Sequence, residues 1–226
     1  MSPITLAVLD MAGTTVADDG LVLRAFAAAA EAGGLPAEGP EADAARQYVL
    51  DTMGQSKIVV FRAIFGDEDR AQAANAAFET TYDSLIDQGL AEPIPGAEKA
   101  ITTLREAGIK VALTTGFSRS TQDKLLVALG WETLADLTLS PPAEAGRGRP
   151  HPDLILAALL KLSIDDVHQI AVLGDTSNDV LSGIRSGASI VAGTLTGAHD
   201  EQQLRDAGAT HIVPSVTEFA ELLTHS

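Results

Sequence analysis

The chain has 226 residues, 46% hydrophobic and 20% charged, a globular composition that excludes a disordered or fibrous protein. With 15 Lys plus Arg against 31 Asp plus Glu the formal charge is −16, which argues against nucleic acid and anionic membrane surfaces as partners, because both need a basic stripe. The absence of Cys excludes disulfides, thiolate metal sites and a thiol nucleophile.

Apolar stretches such as 21–30 and 154–160 break well before the ~20 residues of a membrane helix, and no secretory signal is visible, so the cytoplasm is the expected compartment. The first apolar run, residues 4–9, reads as a strand and ends in Asp10-Met-Ala-Gly-Thr-Thr. Residues 17–92 contain no convincing strand; Ala-rich helical segments are expected at about 21–32, 41–53, 55–65 and 68–88, with stops at Gly33-Gly34 and Gly54. Glu92-Pro-Ile-Pro-Gly96 reads as a stiff linker. Beyond it Ala97, Ile101, Leu104 and Ala107 keep helical spacing, and Gly108 stops the helix. Strands are expected at 109–113, 169–173, 189–192 and 211–213, alternating with helices, one of them capped by Ser177. The predicted fold is therefore α/β: a Rossmann-like parallel sheet core formed by residues 1–16 and 93–226, with an inserted all-helical cap domain at 17–92.

Four motifs carry candidate chemistry. Asp10 ends the first strand, and in open α/β sheets ligands bind beyond such carboxyl ends, with the amides of Gly13 and Thr14 free to hold an anion. Asp175 ends a later strand and Asp179 follows in the first turn of a helix; two carboxylates from two strand ends make a hard-oxygen site suited to Mg²⁺. Thr114, Thr115 and Gly116 end a third strand before a helix beginning near Ser118, a place for phosphate oxygens. Arg147-Gly-Arg149-Pro-His-Pro is a cationic turn in which Arg149 is the better candidate for phosphate and Arg147 reads as a solvated loop residue. Taken singly, each motif also fits an ordinary turn or a helix cap.

In combination and in this order, they resemble the haloacid dehalogenase superfamily over essentially the whole chain. The resemblance implies that Asp10 is a nucleophile attacking phosphorus, that Thr114 contacts the transferring group, and that Asp10, Asp175, Asp179 and the Ala12 carbonyl hold Mg²⁺. Phosphatases of the superfamily usually carry an acid two residues after the nucleophile, where this chain has Ala12, and a Lys where it has Arg149. Both departures resemble the phosphonoacetaldehyde hydrolase (phosphonatase) branch. So does Met53-Gly-Gln-Ser-Lys57-Ile-Val-Val-Phe-Arg62, in which that branch implies a Schiff base at Lys57, with Met53 and Arg62 at the substrate. A Lys beside apolar residues loses proton affinity by desolvation, as an amine nucleophile requires. The branch also implies a His three residues after the Lys, where this chain has Val60.

The expected activity is Mg²⁺-dependent cleavage of the C–P bond of phosphonoacetaldehyde or a related phosphonate. The alternatives are a phosphomonoesterase of the same superfamily, drawing on Asp18 or water as acid, and a binding or regulatory relative without turnover. A small phosphonate or phosphate is the expected partner, and a homodimer through the cap is expected from the resemblance and the Ala-rich helix at 21–32.

Overall fold

A computed structural model describes residues 3–141 and 146–225. Six parallel strands form one sheet: β1 (Leu6–Asp10), β2 (Lys110–Thr114), β3 (Leu137–Leu139), β4 (Ile170–Gly174), β5 (Ile190–Thr194) and β6 (His211–Val213), in the spatial order β3-β2-β1-β4-β5-β6. Both β1 and β4 are buried along their whole length, which explains their unbroken apolar runs: a parallel strand covered on both faces has no solvent side to alternate with. Helices α5 (Ala97–Glu106), α6 (Arg119–Leu129), α7 (Asp153–Lys161), α8 (Ser177–Ser186), α9 (Glu201–Asp206) and α10 (Val216–Thr224) follow Pro95. The predicted α/β class with a parallel sheet is the observed one.

Between β1 and α5 lie α1 (Leu21–Ala32), α2 (Pro40–Asp51), α3 (Lys57–Phe65) and α4 (Glu68–Asp87), and no strand. Helices α1 and α4 pack most extensively, with Ala25, Ala29, Ala71 and Ala74 fully buried; their small side chains allow a close approach. Asp67 caps α4 by accepting the Arg70 N–H at 2.9 Å. An aromatic chain ties these helices to the loop after β2. Ring centroids lie 6.3 Å apart for Phe26–Phe61, 6.0 Å for Phe61–Phe78, 5.9 Å for Phe78–Tyr82 and 4.5 Å for Tyr82–Phe117. Each such pair contributes about 0.5–1.5 kcal/mol beyond its area.

Several boundaries differ from the sequence reading. Strands β1, β2, β4 and β5 each begin and end one or two residues later than expected. Edge strand β3 was not expected: its Leu-Thr-Leu lacks the adjacent β-branched Ile-Val pair that marks the equally short β6. The cap of α8 is Thr176, with Ser177 already inside the helix; the Thr176 hydroxyl accepts the Asp179 N–H, and the Asp179 carboxylate accepts the Thr176 N–H in return.

Candidate active site

Strand β1 lies between β2 and β4, where the order of strand connections reverses, the usual place for a ligand in such sheets. Asp10, at its end, lies opposite Thr114 in register, and Asp175 follows directly after β4. The amides of Gly13 and Thr14 are not free for an anion as expected: the tight turn after β1 makes them donate to the Val16 and Met11 carbonyls at 2.7 and 3.1 Å, and the two residues instead build the wall behind Asp175. The Thr14 hydroxyl donates to Asp175 Oδ1 at 3.2 Å, and the Ala198 N–H donates to Oδ2 at 2.7 Å. Gly13 has φ +87°, and a Cβ there would run into the Asp175 carboxylate. Asp179 does two jobs: Oδ2 closes the cap of α8, and Oδ1 faces Arg149 Nε at 2.7 Å.

Arg149 is the centre of this arrangement. It is 7% exposed, and Nη1 lies 2.7 Å from Asp10 Oδ1. Nη2 donates to the Thr114 hydroxyl at 2.6 Å, and Nη1 donates to the Gly54 carbonyl at 3.4 Å. Arg147 instead points outward and pairs with Asp153 at 2.7 Å, as a solvated loop residue does.

Two of three buried carboxylates, Asp10 and Asp179, pair with this one guanidinium, and Asp175 lies beside them. Asp10, Asp175 and Asp179 each offer an oxygen within 4.8 Å of the others. Burial raises Asp10 well above the ordinary carboxyl range; Arg149 opposes this, while Asp179 and Asp175 add to it. Burial and then Asp179 push Asp175 up to about 7, against the N–H of Ala198. This surplus of buried negative charge and hard oxygen donors fits Mg²⁺, which takes a few carboxylates and keeps its waters. Ala12 lines the same space.

A cavity of about 430 Å³ opens over these carboxylates. On the sheet side its wall includes Asp10, Thr115, Gly116, Arg149 and Asp175, and on the helical side Met53, Gly54 and Lys57. Residues 53–55 are fastened to the start of α8: Asn178 Nδ2 donates to the Met53 carbonyl at 2.8 Å, and Gln55 Nε2 donates to Asn178 Oδ1 at 3.2 Å. Gly116 admits this loop, since a Cβ there would lie 2.6 Å from the Gln55 carbonyl oxygen.

The Lys57 ammonium stands 5.6 Å from the ring centroids of both Phe78 and Phe117. Burial lowers its pKa to about 8, against the opposing pull of Asp18 and then Asp10. Lys57 is thus not a snorkelling surface residue. Arg62, expected at the substrate, does not line the cavity over the carboxylates. It is half-exposed, held by Glu68 at 2.6 Å, and lines a separate, adjoining cavity beside Lys57 rather than the one over the carboxylates. Val60 is 4% exposed and packs in the apolar cluster of the helices, and His151 is exposed in its loop.

Sequence reasoning missed the loop after β5. Thr196 donates to the Gly13 carbonyl at 2.7 Å, and Ala198 holds Asp175, yet a Thr-Gly-Ala turn carries no chemical signature. It also missed Asn178 and Phe117, whose roles arise only from tertiary contact. Asp18, named only as an acid of the alternative reading, lines the cavity.

A family model described as haloacid dehalogenase-like hydrolase matches residues 4–187. Phosphonoacetaldehyde hydrolase of Pseudomonas fluorescens is 27% identical over 197 residues, 82% of this chain and 71% of that protein. Among solved structures, a hydrolase from Pseudomonas syringae shares the fold with a TM-score of 0.84 at 22% identity, covering 98% of both chains. A predicted phosphoglycolate phosphatase from Haemophilus somnus shares it with a TM-score of 0.79 at 18% identity, covering 98% of this chain and 99% of that one.

Proposed function

Because the chain belongs to the haloacid dehalogenase-like hydrolases, we propose that it is a phosphonatase-type member, cleaving the C–P bond of phosphonoacetaldehyde or a closely related aldehyde phosphonate. The observation that carries this reading is Lys57. Its amine, with a proton affinity lowered to about 8, lines the same cavity as Asp10, while position 12 holds an Ala in place of an acid. Similarity to the P. fluorescens enzyme supports the same choice.

The chemistry follows from what each residue can do. Lys57 adds to the aldehyde carbon and forms an iminium, the electron sink that a C–P bond needs. Asp10 attacks phosphorus; the C–P electron pair moves toward the iminium and the carbon leaves as an enamine. The Arg149 guanidinium, already against Asp10 and Thr114, meets the phosphonyl oxygens, and Thr115 and Gly116 line the same cavity. Asp10, Asp175, Asp179 and the Ala12 carbonyl are the residues to hold Mg²⁺, which when bound neutralises charge on the phosphonyl oxygens. Water then releases phosphate from Asp10 and the aldehyde from Lys57.

We take residues 17–92 as a cap over a core of 1–16 and 93–226. The two crossings run side by side: the Ala17 N–H donates to the Glu92 carbonyl at 2.8 Å, and the Ile94 N–H to the Thr15 carbonyl at 2.9 Å. Such a paired crossing suits a hinge, and closure would exclude water from the phospho-enzyme chemistry.

A phosphomonoesterase is the second reading. It is favoured by Val60, which packs in the apolar cluster where the phosphonatase branch implies a proton-carrying His. Phosphate release from phosphonoacetaldehyde, compared with release from simple phosphomonoesters, separates the two. The first reading expects turnover of the phosphonate that disappears in Lys57→Arg. Equal activity of that variant on the phosphonate would sink it.

A further inference from the structure

The site has a nucleophilic amine and no histidine beside it, so a proton carrier for the amine must come from another element. Asp18 is the carboxylate placed to serve. It lines the same cavity as Lys57 and Asp10, just before α1. Its turn is fixed from both ends: the Leu21 N–H donates to its carbonyl at 2.7 Å, and the Val22 N–H donates to Oδ1 at 3.2 Å. The following residue, Asp19, sits at φ +40°, a left-handed conformation that Asp tolerates better than most non-glycine residues. Of the charges around the Lys57 amine, Asp18 acts on it most strongly, ahead of Asp10. The Tyr82 hydroxyl, fully buried and without a hydrogen-bond partner among the described residues, lies in the field of the same two carboxylates, Asp18 again first.

We infer that Asp18 is the acid–base partner of Lys57, carrying the protons of imine formation and imine hydrolysis; this rests on the phosphonatase-type reading above. The Asp18 carboxylate takes a proton from the Lys57 ammonium. The neutral amine adds to the aldehyde carbon, forming the C–N bond, and its remaining surplus proton passes to the alkoxide to give the carbinolamine. Asp18 then returns its proton to the carbinolamine oxygen. The C–O bond breaks, water leaves, the iminium remains, and Asp18 is a carboxylate again. After C–P cleavage and protonation of the enamine carbon by the proton released when water hydrolyses the Asp10 phosphate, the same two transfers run in reverse to release the aldehyde. No outside acid, oxidant or reductant is needed. Burial raises the Asp18 carboxyl above its ordinary value while it lowers the amine, which narrows the gap the proton must cross.

The phosphomonoesterase reading would place an acid near the leaving oxygen bound at Asp10. Here Asp18 is assigned to the amine, and its loss should be read in the imine step. The test is the rate at which borohydride traps phosphonoacetaldehyde on Lys57, followed by mass spectrometry of the peptide that carries it. Asp18→Asn keeps an oxygen for the Val22 N–H and so keeps the turn, but it carries no proton. Trapping should fall by about 10²–10³-fold in Asp18→Asn, a size typical of general acid–base catalysis. Added formate should restore part of the rate in Asp18→Ala. Trapping at the wild-type rate in Asp18→Asn overturns the inference. So does a fall in both variants that formate leaves untouched, since that marks a structural role. If wild-type protein gives no adduct at Lys57, the phosphonatase-type reading itself fails and this inference falls with it.

Discussion

Removing divalent cations should destabilise this protein at pH 8 and leave it almost unchanged at pH 5. The perturbation acts on the carboxylates beneath the cavity. Asp175 is held at about 7 in the fold against an ordinary value of 3.8. At ~1.4 kcal/mol per unit, keeping it ionised costs about 4 kcal/mol, and its near-complete burial leaves little solvent to screen that cost. Since its folded value is raised, the group costs nothing below its unfolded value near 4. Stability is lost as pH climbs from there through about 7, and Asp10, also raised, acts in the same direction. A bound cation favours the ionised carboxylates and offsets the loss. For a chain of this length ~1 kcal/mol moves the melting temperature by about 2–4 °C, so saturating Mg²⁺ that fully offsets this cost should raise it by about 8–16 °C at pH 8. Calorimetry in EDTA and in saturating Mg²⁺, at both pH values, measures this. An equal gain at pH 5 and pH 8, or none at pH 8, would refute the reasoning.

Asp10→Asn should abolish phospho-enzyme formation and nearly all turnover, read by intact-mass measurement on quenched reactions; undiminished turnover would contradict the assignment of the nucleophile. The rate of imine formation at Lys57 should rise with pH through about 8, because the lowered amine becomes free there, and a flat profile from pH 6 to 9 would show that Lys57 does not react. Gly54→Ala should lose most activity: the residue sits at φ +85°, and a Cβ would lie 2.6 Å from the Thr176 hydroxyl, breaking the register between residues 53–55 and α8. Light scattering at micromolar concentration should give the mass of a homodimer, and a monomer mass would remove the expected cap-to-cap contact.

Much of this molecule was legible because local chemistry and tertiary role coincide. Leu21–Ala32 is read to the residue, since an Ala-rich run ended by Gly33 has one local solution and its partner helix agrees with it. Asp10, Thr114 and Asp175 are legible because each follows an apolar run, and three parallel strands bring their carboxyl ends together. Where one residue serves two elements, the sequence is ambiguous. Asp179 reads as a helix cap or a site carboxylate; Oδ2 caps α8 while Oδ1 faces Arg149 in the cavity wall. Arg62 reads as a site residue from its neighbours in the chain, but the fold pairs it with Glu68. Asp18, Phe117 and the 196–198 loop owe their places to contacts between elements far apart in sequence, which no local pattern encodes.

The proposed reaction depends on Lys57 working as an amine nucleophile in the cavity it shares with Asp10. Its most direct test is borohydride reduction of the wild-type protein in the presence of phosphonoacetaldehyde, with Lys57→Arg alongside, followed by peptide mass mapping. A covalent adduct on Lys57, loss of C–P cleavage after reduction, and no adduct in the variant are expected. An unmodified Lys57 in protein that still releases phosphate from phosphonoacetaldehyde would contradict it.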